Sequence, residues 1–339
     1  MYSEAGLAKN TGKVCLQAPD KLETTEEYYM KTIRTKQFQI LTDINMAWDF
    51  MVEIYNLAAE KGYGSIEPPF LEYALTSMWM NKDYMYLCRF WLEKDVVIGF
   101  VFYENLTDIH FVLRPGYEDL AEEMVEYANN VFPDYNGEKQ LIFSEGQTAL
   151  MEAAEKRGYK LCYKDRSFVL NIAKTELNYE LPDGFSFVDP AKVNPVKLAR
   201  CTWKGFNEWE LGPFENWEDT NDKRDWSPHK SYTDVLSGIM APPPHATSQY
   251  DVVIANEEGE YVCYSGMWWV PENGLAYMEP LCTIPEYQHR GLAAAALTEH
   301  YRRFKEMGGK ILTGGGNDFY KKIGYDVEEY SWVYKKIRN

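Results

Sequence analysis

The stretch Met278-Glu279-Pro280-Leu281-Cys282-Thr283-Ile284-Pro285-Glu286-Tyr287-Gln288-His289-Arg290-Gly291-Leu292-Ala293 carries the residue types with the clearest chemistry. It reads as a strand, a tight loop and the start of a helix. The spacing Gln288-x-x-Gly291-x-Ala293 puts small residues where the chain turns into the helix, so backbone N–H groups converge there unobstructed. A helix start adds orphan donors and the positive end of the dipole, and His289 and Arg290 add local positive charge. Such a cradle suits an anion, in particular a pyrophosphate. The plainer reading is that Gly291 is only a loop residue before an Ala-rich helix.

In the preceding strand, alternation over 277–284 puts Tyr277, Glu279, Leu281 and Thr283 on one face. Pro280 cannot donate to a ladder, which predicts a bulge or local opening beside Glu279. Cys282 has no His or basic neighbour in sequence and reads as packing rather than as a nucleophile. A second unusual stretch, 207–249, sets Trp209, Phe214, Trp217, Trp226 and Tyr232 among eight carboxylates and carries Pro242-Pro243-Pro244 near its end. Aromatic faces with carboxylates suit a cationic amine; an acidic surface loop with aromatics tucked into the core fits equally. Trp268 and Trp269 point to opposite faces of their strand, so one of them faces this region.

These residues need strands and helices to hold them. Apolar spacing predicts helices over Met46–Lys61, Tyr117–Phe132, Gln147–Arg157, Pro195–Phe206, Leu292–Met307 and Asp318–Ile323. Strand-like runs cover Tyr84–Trp91, Val96–Tyr103, Ile109–Leu113, Gln140–Phe143, Asp251–Ala255, Tyr261–Val270, Leu275–Ile284 and Lys310–Thr313. Each half is expected to close with a hairpin, Tyr159–Tyr163 with Arg166–Ile172 and Tyr325–Glu329 with Ser331–Ile337. The halves also echo each other in residues: Lys156-Arg157-Gly158-Tyr159 then Ser167-Phe168-Val169-Leu170, against Lys322-Ile323-Gly324-Tyr325 then Ser331-Trp332-Val333-Tyr334. The reading is an α/β (α+β mixed sheet) protein with a polar arm at 1–36, a first domain at 37–175, a linker at 176–183 and a second domain at 184–339.

Length and composition agree. At roughly 150 residues per domain, 339 residues make two. The net charge of −17 disfavours phosphate backbones and anionic lipid, so nucleic acid and membrane are not expected partners. No stretch approaches a membrane span or a secretory leader. Six cysteines without a CxxC pair, and five histidines, show no metal-ligand spacing, which points to reduced thiols and a cytoplasmic setting. From Pro285 onward ten Lys/Arg stand against seven Asp/Glu, leaving −20 on the first 284 residues. The one mildly basic region is the one with the anion cradle.

Gln288-His289-Arg290-Gly291-Leu292-Ala293 resembles the Gln/Arg-x-x-Gly-x-Gly/Ala loop of the GCN5-related N-acetyltransferases (GNAT). A second signature follows: Asn317-Asp318-Phe319-Tyr320-Lys321-Lys322-Ile323-Gly324-Tyr325 resembles that family's Asn-x-x-x-x-Tyr-x-x-x-Gly-Phe helix, two residues short between Asn and Tyr. The resemblance covers 184–339 and implies acetyl-CoA as cosubstrate. It implies that Leu281, Cys282, Thr283, Ile284, Gln288, His289, Arg290, Gly291, Leu292, Ala293 and Asn317 contact CoA. A backbone N–H of Leu281 or Cys282 would polarise the thioester, Glu279 would be the general base and Tyr320 the general acid. Trp209, Trp217, Trp268 and Tyr277 are candidate acceptor contacts.

The first half reads as a degenerate copy, giving two tandem GNAT-like domains. It has Leu113-Arg114-Pro115-Gly116-Tyr117-Glu118-Asp119-Leu120 where the cradle should be, with Glu118, Asp119, Glu122 and Glu123 crowding the helix start. Carboxylates there would occupy the donors and repel a pyrophosphate. The expected function is N-acetyl transfer to a small cationic amine (a polyamine, amino sugar or aminoglycoside) by a monomer or homodimer. A non-catalytic acyl-CoA-binding module and a protein N-acetyltransferase remain open.

Overall fold

The computed structural model of the protein describes residues 33–77, 79–105, 107–134, 138–209, 235 and 242–336. Its first half runs β1 (Ile33–Gln37), α1 (Ile40–Glu60), α2 (Pro69–Thr76), β2 (Arg89–Glu93), β3 (Val96–Tyr103), β4 (Asp108–Leu113), α3 (Ala121–Val131), β5 (Gln140–Ser144), α4 (Thr148–Lys156) and β6 (Tyr159–Asn171). The second half repeats this order with β7 (Phe185–Phe187), α5 (Pro195–Gly205), β8 (Val252–Asn256), β9 (Tyr261–Val270), β10 (Leu275–Thr283), α6 (Leu292–Glu306), β11 (Ile311–Thr313), α7 (Asp318–Ile323) and β12 (Val327–Lys336). Helix starts follow local chemistry. Asn194 accepts the N–H groups of Val196 and Lys197 at the head of α5, with Pro195 in the first turn. Asn317 accepts from Phe319 at the head of α7.

The twelve strands among the described residues form one mixed sheet in the order β1-β2-β3-β4-β5-β12-β6-β11-β10-β9-β8-β7. β4 with β5 and β10 with β11 are the parallel pairs. The closing strands are exchanged. β6 of the first half pairs with β11 of the second, and β12 of the second half pairs with β5 of the first. β6 and β12 then join each other antiparallel through the middle of the sheet.

That exchange corrects the expected closing hairpins. Tyr159–Asn171 is a single strand of 13 residues and Val327–Lys336 one of 10. Lys160 to Asp165 are exposed, so Lys164-Asp165, which resembles a turn, lies within a strand whose faces are uncovered there. The short helix α2, after Pro68, carries too few residues to show a period.

The second half has apolar layers on both faces of its strands. Leu198, Ala199, Cys201 and Trp203 of α5 pack on Val253, Cys263 and Cys282. On the other face Leu297, Tyr301 and Phe304 of α6 pack on Met267, Ala276 and Met278. The first half supplies a third layer: Trp48 and Tyr55 of α1 lie against Trp268, Val270, Leu275 and Tyr277, and Asn273 donates to the Val52 carbonyl at 3.0 Å. Among the described residues no helix is long and apolar enough to cross a membrane.

Candidate active site

β10 carries the irregularity that Pro280 predicts. Met278 pairs with Met267 and Leu281 with Ser265, so Glu279 and Pro280 together oppose Gly266. The two-against-one count turns the strand over. Tyr277 sits opposite Trp268 and Leu281 opposite Ser265; three residues apart on β9, those partners point to opposite faces. Tyr277 and Leu281 therefore do not share a face, correcting the simple alternation. The Glu279–Pro280 peptide is cis.

β10 and β11 pair only through Leu275 and Ala276, and beyond that point the edge of β10 is splayed. The Met278 N–H goes to Thr313 Oγ1 at 2.8 Å, and Pro280 has no N–H. The Ile284 N–H donates to the Val262 carbonyl at 3.0 Å. Ladder alternation then turns the Cys282 and Ile284 backbones toward β9 and leaves those of Leu281 and Thr283 on the open edge. The Thr283 carbonyl already accepts from Gln288 Nε2 at 3.2 Å. Cys282 is buried against α5, where a side chain on Gly205 would come within 2.8 Å of its sulfur. That placement fits packing and no other use.

The splay leads to the head of α6. Gly291 caps the helix in the left-handed region at φ 85°, a conformation that favours glycine. No side chain caps the first-turn amides, and no acidic residue stands in that turn. Gln288, His289, Arg290 and Gly291 are exposed around it, while Leu292 is buried. Arg290 lies over the Tyr287 ring at 4.7 Å and donates to the Glu286 carbonyl. An uncapped helix start flanked by a guanidinium and reached through a splayed strand is a fit for a phosphorylated anion. Asn317 is exposed and its carbonyl oxygen is engaged in capping α7.

Two cavities meet at Glu279. One, of about 400 Å³, is largely apolar and includes Trp268, Met267, Tyr264, Tyr73, Trp79 and the buried Asp251. The other, of about 380 Å³, is polar and is walled by both halves: Glu67, Glu104 and His110 of the first, Tyr277, Glu279, Gly314, Gly315 and Glu329 of the second. Loss of hydration in this setting, with Glu104 as a like charge, pushes Glu279 up to about 7. Tyr320 is buried, packed edge-on to Tyr325 at 5.3 Å between rings. Burial first, and then the Glu279 charge, raise its phenol well above the ordinary tyrosine range, against the Gly315 N–H hydrogen bond that lowers it. Glu279 and Tyr320 are thus within electrostatic reach of each other across the splay.

The remaining site residues scatter. Trp268 reaches the apolar cavity and Tyr277 the polar one, whereas Trp269 packs on Phe304 of α6 at 5.1 Å. Trp209 is exposed, edge-on to Trp203 at 4.5 Å, and lines neither cavity. Trp217 and most of the aromatic insertion lie outside the described residues. Sequence reading overlooked Glu67, Glu104, His110, Glu329 and Asp251. None belongs to a local motif; strand exchange and helix packing bring them together.

At the equivalent place in the first half, the Gly116 N–H donates to Glu118 at 3.0 Å, and Arg114 is engaged by Glu53 and the Val97 carbonyl. The ring of Tyr63 covers Gly146, where a Cβ would approach it to 2.8 Å. The cavity left there is about 140 Å³.

The family model of the GNAT acetyltransferases matches residues 203–325. Among solved structures, an acetyltransferase from the GNAT family of Colwellia psychrerythraea is 9% identical, covering 89% of this chain and 100% of its own, with a TM-score of 0.56. A GCN5-related N-acetyltransferase from Sphaerobacter thermophilus is 12% identical over 91% of this chain and 96% of its own, with a TM-score of 0.50. A tandem GNAT protein from the clavulanic acid biosynthesis pathway is 9% identical over 91% and 99%, also with a TM-score of 0.50. These likenesses are of fold and extend across both halves. No curated protein matches the chain.

Proposed function

We propose, from the match of residues 203–325 to the GNAT acetyltransferase family model, that the protein transfers an acetyl group from acetyl-CoA to a primary amine, using only its second half for CoA. The observation that carries this reading is the position of Glu279. It stands on the bulge of β10, in the wall of the polar cavity, with Tyr320 across the splay and the uncapped head of α6 at the far end of the same strand.

Acetyl-CoA supplies a thioester whose pyrophosphate suits the N–H groups of Gly291, Leu292 and Ala293 with Arg290 and His289 beside them. Leu281 offers the N–H for the acyl oxygen, because its backbone faces the open edge of β10. Glu279, near neutrality in its pKa, takes the proton from the attacking nitrogen as the C–N bond forms. Tyr320, held protonated by its surroundings, gives its proton to the sulfur as the C–S bond breaks. Met278 and Thr313 close the strand edge behind the splay through their hydrogen bond.

The test is release of free CoA thiol from acetyl-CoA across an amine panel. Glu279→Gln and Tyr320→Phe are each expected to lower kcat by roughly 10²-fold or more, the usual contribution of a positioned acid or base, with CoA binding retained. Unchanged rates in both variants would remove these roles. CoA binding without turnover of any amine would favour a binding module.

A further inference from the structure

The polar cavity has a composition that a single amine does not explain. Among the described residues six carboxylates line it: Glu67, Glu104, Asp108, Asp165, Glu279 and Glu329. Among the described residues its guanidinium is that of Arg166, which is spent on Asp318 at 2.7 Å and on the Gly316 carbonyl. Asp108 is engaged locally by Asn105 and Thr107. Glu67, Glu279 and Glu329 have no cation partner among the described residues. Removing hydration from an ionised carboxylate is costly, and such groups are ordinarily paired.

His110 points the same way from a separate observation. The residue is only 6% exposed and forms part of the cavity wall. Neither ring nitrogen has a hydrogen bond, and Nε2 stands 3.5 Å from Glu104 Oε2. With Nε2 turned to the Glu104 carboxylate, Nδ1 is left as an acceptor, and the surrounding carboxylates are acceptors too, so what this wall lacks is donors.

The carboxylates are spread along the wall. Among the described residues no three His, Cys, Asp or Glu side chains converge tightly enough to hold a metal ion. A distributed set of acceptors matches an elongated cation with charge at more than one point. Accepting the acetyltransferase reading, on which this rests, we propose that the acceptor is a linear diamine or longer oligoamine whose near nitrogen reaches Glu279 while a distal ammonium is held by Glu67 and Glu329. Desolvation pushes Glu67 up to about 8, with Glu329 and then Glu279 as further like charges; a bound ammonium relieves that repulsion.

The recognition residues come from both halves. Glu67 lies just before α2 and Glu329 on the exchanged strand β12, which packs against Gly64. The first half would thus select the acceptor that the second half acetylates.

The experiment compares putrescine and cadaverine with butylamine and pentylamine as acceptors for the full-length protein and acetyl-CoA. The diamine is expected to exceed its monoamine in kcat/KM by about tenfold or more, chiefly through KM, in line with charge-assisted hydrogen bonds to a buried carboxylate. Glu67→Gln and Glu329→Gln are expected to bring that ratio toward one. The ratio is insensitive to the fraction of folded protein, so misfolding cannot imitate the effect. A ratio near one in the parent, or a ratio preserved in both variants, overturns the proposal. If no amine is acetylated, the acetyltransferase reading fails, and calorimetry decides the cavity separately. Putrescine binding weakened by Glu67→Gln would then support a dication site, and absence of putrescine binding would refute it.

Discussion

The carbonyl oxygen of Glu279 lies over Gly266, where a Cβ would approach it to 2.3 Å and the Pro280 ring to 3.0 Å. Glycine on β9 is therefore what allows the bulge on β10 to close down onto its neighbour. Gly266→Ala must move backbone, because the obstructing atom is a carbonyl and not a flexible side-chain end. Overpacking of this kind costs about 1–3 kcal/mol, and here the displaced residue is the proposed base. Urea denaturation should show a loss of that size, and turnover should fall further than the fraction unfolded explains. A variant with parental stability and rate would mean the bulge is not held by this contact.

Glu279 near 7 predicts an ascending limb in kcat/KM. The carboxyl must be ionised to accept a proton, so activity rises as pH passes through about 7 and levels above it. An acceptor amine of low pKa keeps its own ionisation out of the profile. Glu279→Gln should abolish the limb with the rate. Glu104→Gln removes the like charge that raises Glu279, so the limb should move to lower pH while the plateau persists. A limb that stays in place in Glu104→Gln would sever that electrostatic link.

Asp251 makes a prediction about stability. Burial pushes its carboxyl up to about 8, against hydrogen bonds from the Met267 N–H at 2.9 Å and the Tyr264 hydroxyl at 3.1 Å. The folded state then holds a proton that the unfolded chain, near 3.8, gives up. Protons bound in excess by the native state make stability fall as pH rises across that window, by on the order of 1 kcal/mol per pH unit for one group. Asp251→Asn cannot ionise, so the stability difference between parent and variant should shift steadily in the variant's favour from about pH 4 to 8. Parallel stability curves would show that Asp251 is ionised in the folded protein.

Much of this was legible from local signals, and the exceptions share a cause. The head of α6 and the helix after Asn317 are written in consecutive residues, and Pro280 announces its bulge because a missing N–H is a local fact. The face assignment of Leu281 fails for the same reason: a bulge counts residues on two strands, and one strand alone cannot reveal the shift. Lys164-Asp165 reads as a turn because solvent exposure, not chain reversal, makes it polar. Glu67 and Glu329, 262 positions apart, meet only because β6 and β12 change places. No spacing rule reaches across that exchange.

The two helix heads that follow β4 and β10 lead to a stoichiometry. At α6 the first-turn amides carry no side-chain cap and Gly291 opens the approach. After β4 the Gly116 N–H is taken by Glu118, Arg114 is held by Glu53, and Glu122 is bound to Lys156 and Arg157. An incoming pyrophosphate would have to displace one carboxylate and would meet others at the same helix start, which the dipole cannot offset. Calorimetric titration with CoA should therefore give one equivalent per chain. Gly291→Val should weaken that binding, since a β-branched residue is strained at φ 85°, whereas Glu118→Ala should leave the stoichiometry at one because the other carboxylates and Tyr63 remain. Two equivalents in the parent would make the first half a working CoA site and would return Glu118 to an incidental surface residue.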